Sequence, residues 1–472
     1  MKTTLVLFLS LLTIGISAQV KSYSLEECVL IALEKNITIK QSEIDLESAS
    51  IDKEDAFGNL LPRINGQSQH SWNNGLSQNI TNGLIENLTT QFSSFGASAG
   101  VTLFNGKQNI NQLSRANLNI IARQYQLESV KEDISLFVAN AYLQVMFNRE
   151  IQNVQRFQLE LIQEELKRTE ERIAAGVLTE ADRYEIEANL ASQEQAVIEA
   201  ENNYRLSRIS LAQLLLITDY ENFDVSQEEF DIPFSEILTK TPKEIFEKAL
   251  SLRNNIKLGI TNIEIAEKDI DLAKGALLPS LSAFYSYNTR ISYSDRSVET
   301  GNFIETPIGL VKQTGDIVVT PFPEREVVGP VPFGTQFGQN DGHSYGLSLS
   351  VPIFNGKLVR NNIKRRELNL KRTENQLEQT KLDLENTINQ SYNNAQGAFK
   401  FYEASEKTLR ARAEAYDMAK ERFAAGVLNS FDYIQAQQRY QIAASDIVRA
   451  KYDYIFKLKV LEFYYGLTIT QF

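Results

Sequence analysis

Two short segments carry the residues with the most chemical potential, and they match each other. Arg172-Ile173-Ala174-Ala175-Gly176-Val177-Leu178 with Asp182, and Arg422-Phe423-Ala424-Ala425-Gly426-Val427-Leu428 with Asp432, share the pattern R-x-A-A-G-V-L-x-x-x-D. A glycine closing a helical run takes the left-handed position beyond the helix end. An acid three residues after Thr179 or Asn429 falls in the first turn of the next helix, where it faces the positive end of the dipole. Leu178 and Leu428 stand where a hydrophobic staple would. These residues describe a helix–turn–helix tip bearing a carboxylate. Catalysis has no comparable candidate. The two histidines, His70 and His343, lack a Cys or His partner at metal spacing, and no G-x-S-x-G, P-loop or H-E-x-x-H occurs. No catalytic residue, metal or cofactor is expected, and the chain does not read as an enzyme.

Charge and the N-terminus narrow the setting. A formal net charge of −12 argues against nucleic acid as a partner. Lys2, the apolar stretch Leu5 to Ile16 and the small-residue site Ile16-Ser17-Ala18 read as a secretory signal over residues 1–18. No later segment is long and apolar enough for a membrane-spanning helix. Barrel strands remain open as a membrane device, because their alternation leaves only a weak hydropathy trace. Cys28 is the single cysteine and lies ten residues past the expected cleavage point, so neither a lipid anchor nor an internal disulfide is expected. Its ordinary role is a small buried residue on a helix face.

The matching tips belong to a larger duplication. Phe104-Asn105-Gly106-Lys107 falls on Phe354-Asn355-Gly356-Lys357, a displacement of 250 residues that also carries Arg115 to Arg365, Tyr142 to Tyr392 and Tyr204 to Tyr454. Upstream the displacement is 217: Asp52 falls on Asp269, Gly58 on Gly275, and Leu60-Leu61-Pro62 on Leu277-Leu278-Pro279. Repeat two therefore carries 33 extra residues between Pro279 and Phe354, rich in Gly, Pro and Tyr. That composition predicts a long loop, about 290–343. The organisation expected is a signal at 1–18, repeat one at 19–216 with strands in 63–104, a linker at 217–242, and repeat two at 243–472 with strands in 280–354.

Within each repeat the period of the pattern changes. Residues 24–60 predict a helix, with Ser24 as cap, Glu27 three residues on, and Gly58 and Pro62 to stop it. Period two follows: Phe95, Ala97, Ala99, Val101 and Leu103 alternate with Ser, Gly and Thr, and Tyr345, Leu347, Leu349, Val351 and Ile353 do the same. One apolar and one small polar face suit a strand with lipid outside and water inside. From Lys107 to Ile173 there is neither proline nor glycine, which predicts roughly 100 Å of helix at 1.5 Å per residue. Leu113, Ile120, Leu127, Ile134 and Ala141 recur at sevens, with Ala116, Val130 and Phe137 on a second seam, as in packing against neighbouring helices. A further helix, Ala181 to Leu216, returns from the tip. Two strands per repeat give four per chain, too few to close a barrel, and open edges are not tolerated in lipid. Several copies are required; three would supply twelve strands.

On the duplication, the LLP and FNGK motifs and the paired tip motif, the chain resembles the TolC family of outer-membrane efflux proteins across essentially its whole mature length. The resemblance implies a mostly α fold with membrane β: an internally duplicated protomer of a trimeric twelve-stranded barrel fused to a long helical tunnel. It implies an outer-membrane location with the helices in the periplasm of a Gram-negative-type cell, and an equatorial patch from residues near 217–242 and the C-terminus. The implied function is the exit duct of a tripartite efflux or type I secretion system, served by a periplasmic adaptor and an inner-membrane pump. Asp182, Phe423 and Asp432 would then stand at the tunnel constriction, and Gly176, Val177, Leu178, Gly426, Val427 and Leu428 would meet the adaptor. Where relatives carry a tyrosine, a basic residue and a second acid, this chain has Phe423, Leu428 and Gln435. A hydrophobic closure through Phe423 with a single acidic ring is the form expected. The competing class is a periplasmic coiled-coil scaffold, which would share the heptads but need no paired strands.

Overall fold

The duplication governs the architecture. The computed structural model describes residues 21–78, 84–226 and 236–467, so the expected signal lies outside the described residues. Repeat one runs β1 (Lys21–Tyr23), α1 (Leu25–Lys35), α2 (Ile37–Gly58), β2 (Arg63–Gln78), β3 (Ile85–Asn105), α3 (Gln108–Ala174) and α4 (Glu180–Leu214). A short strand β4 (Phe223–Val225) and a 3-10 turn (Glu236–Thr239) connect it to repeat two. There follow α5 (Pro242–Leu252), α6 (Asn254–Gly275), β5 (Ser280–Ser292), β6 (Arg296–Leu310), β7 (Ile317–Val328), α7 (Phe333–Gln339), β8 (Gly342–Ser350), α8 (Leu358–Ala424) and α9 (Ser430–Tyr465). The two long helices α3 and α8 each contain 67 residues and start at equivalent positions.

The helix expected over 24–60 is two helices. Ser24 and Glu27 form the capping box as the pattern predicts. At Asn36, however, ψ turns to 131°, and its side-chain oxygen accepts the N–H of Thr38 at 2.8 Å. That bond satisfies a donor at the start of α2 and makes Asn36 the junction between helices. Repeat two breaks at the equivalent Arg253, where ψ is 126°.

The chain divides into two units. The helical unit comprises 1–50, 118–266 and 369–472. One of its cores gathers Cys28, fully buried, with Val138, Tyr142, Leu211, Phe223 and Ile455. A second gathers Ile245, Ile388, Tyr454 and Leu458. β1 pairs in parallel with β4. Each long helix ties itself to the connecting segment with the same duplicated tyrosine: Tyr142 Oη lies 3.1 Å from Ser226 Oγ, and Tyr392 Oη donates to the Leu238 carbonyl at 3.2 Å. Of the expected seam on α3, Leu127 and Ile134 are buried, but Phe137 is 61% exposed; Val138, one position on, points inward instead. Apolar side chains that a single chain leaves bare on α3, α4 and α8, such as Ile121, Ile198 and Leu382, fit helices that have further neighbours.

The second unit, 51–117 and 267–368, is built on a four-stranded antiparallel sheet in the order β2-β3-β5-β8. The two edges, β2 and β8, have no partner strand on their outer sides among the described residues. Tyr345, Leu347 and Leu349 are at least 66% exposed along β8, a strand that is exposed over most of both faces. The strands turn into helices at Gly106-Lys107 and Gly356-Lys357, all four with positive φ.

The insertion of repeat two is not the loop that its composition suggested. β6 and β7 form a separate antiparallel hairpin, and α7 packs on β5. Pro321 and Pro323 sit in β7, which has β6 as its only partner strand among the described residues, so a missing N–H on the other side costs no ladder bond. β-branched runs such as Ile317-Val318-Val319 supply the strand preference.

Candidate functional site at the helical tip

Both tips close by the same backbone bonds. In repeat one Gly176 N–H donates to Ile173 O at 2.8 Å and Val177 N–H to Arg172 O at 2.9 Å; in repeat two Gly426 N–H reaches Phe423 O at 3.0 Å and Val427 N–H reaches Arg422 O at 2.9 Å. Gly176 and Gly426 have φ of +75° and +73°, the left-handed conformation that ends a helix and turns the chain back. Val177 and Val427 are 61% and 69% exposed, apolar and at the apex of each turn. Leu178 and Leu428 fold partly under, against Ile162, Ile186 and Ile434.

The two aspartates, alike in sequence, are used differently. Asp182 Oδ2 accepts the Thr179 N–H at 2.9 Å and its hydroxyl at 2.8 Å. A hydrogen bond from the Ser430 side chain, followed by the Thr179 backbone bond, holds the Asp182 carboxyl below its ordinary range. Asp182 is thus a cap that also reaches repeat two. For α9 the cap is Asn429, whose Oδ1 accepts the Asp432 N–H at 2.8 Å. Among the described residues the Asp432 carboxylate meets the Asn429 amide, at 2.9 Å, and it remains exposed.

Phe423 departs from the expected placement. It is 3% exposed and stacks on Tyr433 at 4.7 Å between centroids and 8° between planes. Over it lies Arg172, for which the sequence suggested no role. Its guanidinium donates to the Phe423 carbonyl at 3.1 Å and lies 5.1 Å from the Phe423 ring centroid. A cation on the last carbonyls of α8 also answers the negative dipole end. Arg172 therefore fastens repeat one to repeat two over a buried ring. The only hint in the sequence was the arginine at the head of both motifs.

Beneath this lies a buried carboxyl. Tyr433 Oη is 3.2 Å from Tyr416 Oη, and Glu165, 9% exposed, bonds to Tyr433. Burial pushes the Glu165 carboxyl above its ordinary range. The folded tip then holds the Glu165 proton more tightly than the unfolded chain does. Stability is gained as pH falls through the interval above the ordinary glutamate value and lost as pH rises through it. Glu165→Gln is expected to flatten that dependence and to stabilise the tip at neutral pH. Hydrogen exchange of residues 160–186 and 416–437 at pH 5 and pH 7.5 checks this. Equal pH dependence in variant and parent would rule Glu165 out as its source.

The histidines lie elsewhere: His70 contacts Ser93 and Gln91 on the sheet, and His343 contacts Tyr285.

Comparison with known proteins places this geometry in a class of long-helix, membrane-sheet transport proteins. Residues 30–215 and 245–466 match the family described as outer membrane efflux protein, and the chain belongs to that family. TolC of Escherichia coli is 22% identical over 465 residues, covering 96% of this chain and 84% of the relative. The pyoverdine export outer membrane protein OpmQ of Pseudomonas aeruginosa is 23% identical over 398 residues, covering 83% of this chain and 74% of the relative. Among solved structures, CusC superimposes with a TM-score of 0.75 at 14% identity, covering 94% of this chain and 92% of that one. The CmeC outer membrane channel of Campylobacter jejuni gives 0.71 at 19% identity, with 94% and 85% covered. The protein is an outer-membrane efflux channel of the TolC family, and the scaffold alternative falls.

Proposed function

We propose that the mature chain, from residue 19, assembles as a homotrimer that forms the exit duct of a tripartite efflux or type I secretion system. The carrying observation is the four-stranded sheet with two open edges and a bare apolar face. In lipid such edges are costly until another strand fills them. Three copies give twelve strands, enough for a water-filled pore. The helical tunnel lies in the periplasm and the β6–β7 hairpin on the outer face; of the equatorial linker 217–242, residues 227–235 lie outside the described residues. Val177, Leu178, Val427 and Leu428, held by Gly176 and Gly426, offer a periplasmic adaptor an apolar docking surface, and the adaptor couples the duct to an inner-membrane pump.

Asp432 is the residue of the tip best placed to act on ions, since its carboxylate is exposed and its helix is capped by another side chain. Three copies around a narrow mouth would form an acidic ring that favours cations. In planar bilayers Asp432→Asn should lower cation selectivity while leaving thermal stability nearly unchanged, because the Asn429 cap persists. Asp182→Asn should do the reverse, loosening the tip through loss of the Thr179 and Ser430 bonds. Unaltered selectivity in the Asp432 variant would remove the acidic ring. The docking reading is tested by a photocrosslinker at Val427 in cells. Capture of a periplasmic protein with a helical hairpin supports it, and crosslinks to membrane lipid or to nothing contradict it.

A further inference from the structure

The four strands of the membrane sheet carry, besides their histidines, three charged side chains: Arg63, Glu86 and Arg290. Strand register puts all three on the small polar face, where Asn65, Ser98, Ser286 and Ser344 form a row across the sheet. Arg63 lies opposite Gly100 and Arg290 opposite Ser94, which separates them by roughly 20 Å along β3. Glu86 stands opposite Ser77, roughly 26 Å beyond Ser94. Between the two arginines these strands hold no carboxylate, in a chain whose net charge is −12.

The two arginines are held differently. Arg63 donates to the Asn59 side chain at 2.7 Å, which ties it to the end of α2. Arg290 is exposed and forms neither an ion pair nor a side-chain hydrogen bond among the described residues. Its guanidinium carbon lies 3.8 Å from the centroid of the Phe92 ring. At that distance a guanidinium standing on edge would press a nitrogen into the ring, so the two planes lie along each other. Stacking covers one face of the cation and leaves its N–H edge free, the part that matches a carboxylate or phosphate in bidentate fashion. Exposed Gln69, Ser94 and Asn288 share this face beside it. The helix α7 packs on the opposite, apolar face, with Phe333 and Phe337 against Phe95, and does not screen Arg290. Neither member of the pair is duplicated: Phe92 corresponds to Gly342 and Arg290 to Asn73, so the arrangement occurs once per chain.

We propose that Arg290, held with its edge outward by Phe92, is a binding site for carboxylate- or phosphate-bearing anions on the water-filled side of the barrel, one per chain. This rests on the barrel reading above and adds a charged station of opposite sign to Asp432. In a trimer three such sites ring the lumen. With no carboxylate on the strands around them, an anionic cargo is the partner that the guanidinium edge fits. A fixed cation on an otherwise uncharged wall lowers the barrier that an acidic chain raises against anions.

The test uses the full-length protein in planar bilayers of phosphatidylcholine, with citrate as the probe and chloride at matched ionic strength as the reference. Citrate added on the barrel side should lower the conductance of the parent in a saturating manner. Arg290→Gln should weaken that block roughly tenfold, the order expected for losing a charge-assisted hydrogen-bonded contact. It should also shift the reversal potential toward cations, opposite in sign to Asp432→Asn. Arg290→Lys should keep the parent's reversal potential yet lose most of the citrate affinity, because an ammonium has no planar fork. Phe92→Leu should weaken the block with the charge unchanged, Phe92→Tyr should preserve it, and Arg63→Gln should leave it intact. Equal block in the parent and in Arg290→Gln or Arg290→Lys, in particles that still conduct, would overturn the site and leave the barrel standing. No citrate block in the parent, with a phosphate-headgroup lipid bound through Arg290 instead, would assign the residue to lipid and overturn the lumen site as well. A particle of one chain that never conducts would overturn the barrel reading itself.

Discussion

Phe423→Ala is expected to loosen the helical tip by about 3–5 kcal/mol, the range for truncating a buried aromatic ring. The ring is enclosed by Ile162, Ile186, Tyr416 and Ile434, stacks on Tyr433, and supports the Arg172 guanidinium. Removing it leaves a cavity and deprives Arg172 of its platform, so the clasp on the Phe423 and Ala424 carbonyls weakens with the packing. The loss should be local. Hydrogen exchange ought to rise in 172–186 and 422–437 while the core around Tyr142 keeps its protection. Ile173 holds the equivalent place in repeat one but is only half-buried, so Ile173→Ala should cost far less. Equal effects of the two substitutions would mean that the Arg172 clasp is not what distinguishes the repeats at the tip.

Gly106→Ala is expected to be the most damaging single methyl in the sheet unit. Gly106 has a φ of +66°, and an added Cβ would collide with the Gly275 carbonyl oxygen. The left-handed conformation costs a residue with a Cβ roughly 1–2 kcal/mol, and forcing atoms into filled space about 1–3 kcal/mol more. Gly356→Ala shares the conformational cost, with a φ of +60°, but its Cβ would meet nothing within 4 Å among the described residues. Refolding yield into detergent micelles, followed by β-sheet circular dichroism, should fall sharply for the first variant and modestly for the second. A reversed order would contradict the close approach of the two turns.

Much of this was legible because duplication checks itself. The α3 pattern from Lys107 to Ile173 is uninterrupted by proline or glycine, and its helix differs from the expected bounds by one residue at each end. The tip glycines could be read from sequence because a left-handed turn leaves few alternatives. What escaped the sequence depends on contacts between distant residues or on weak local cues. Asn36 breaks a helix without being proline or glycine; its side-chain bond to the Thr38 N–H was the cue. The insertion looked like a loop because its prolines outweighed Val318-Val319 and Val327-Val328, which pair only because β6 lies beside them. Phe423 was expected to face an opening, but its ring packs among Ile162, Ile186 and Tyr433, and the Arg172 that covers it comes from the other repeat. Asp182 and Asp432 were indistinguishable by pattern; Ser430 and Asn429 set them apart.

Conductance of the purified protein bears most directly on the central claim. The protein, extracted from outer membranes in detergent and shown by mass to hold three chains per particle, is added to a planar bilayer. The account predicts discrete conductance steps of one size, each from one inserted particle, with cation preference that falls in Asp432→Asn. A monodisperse single chain that stays in solution without detergent and leaves the bilayer silent would contradict it.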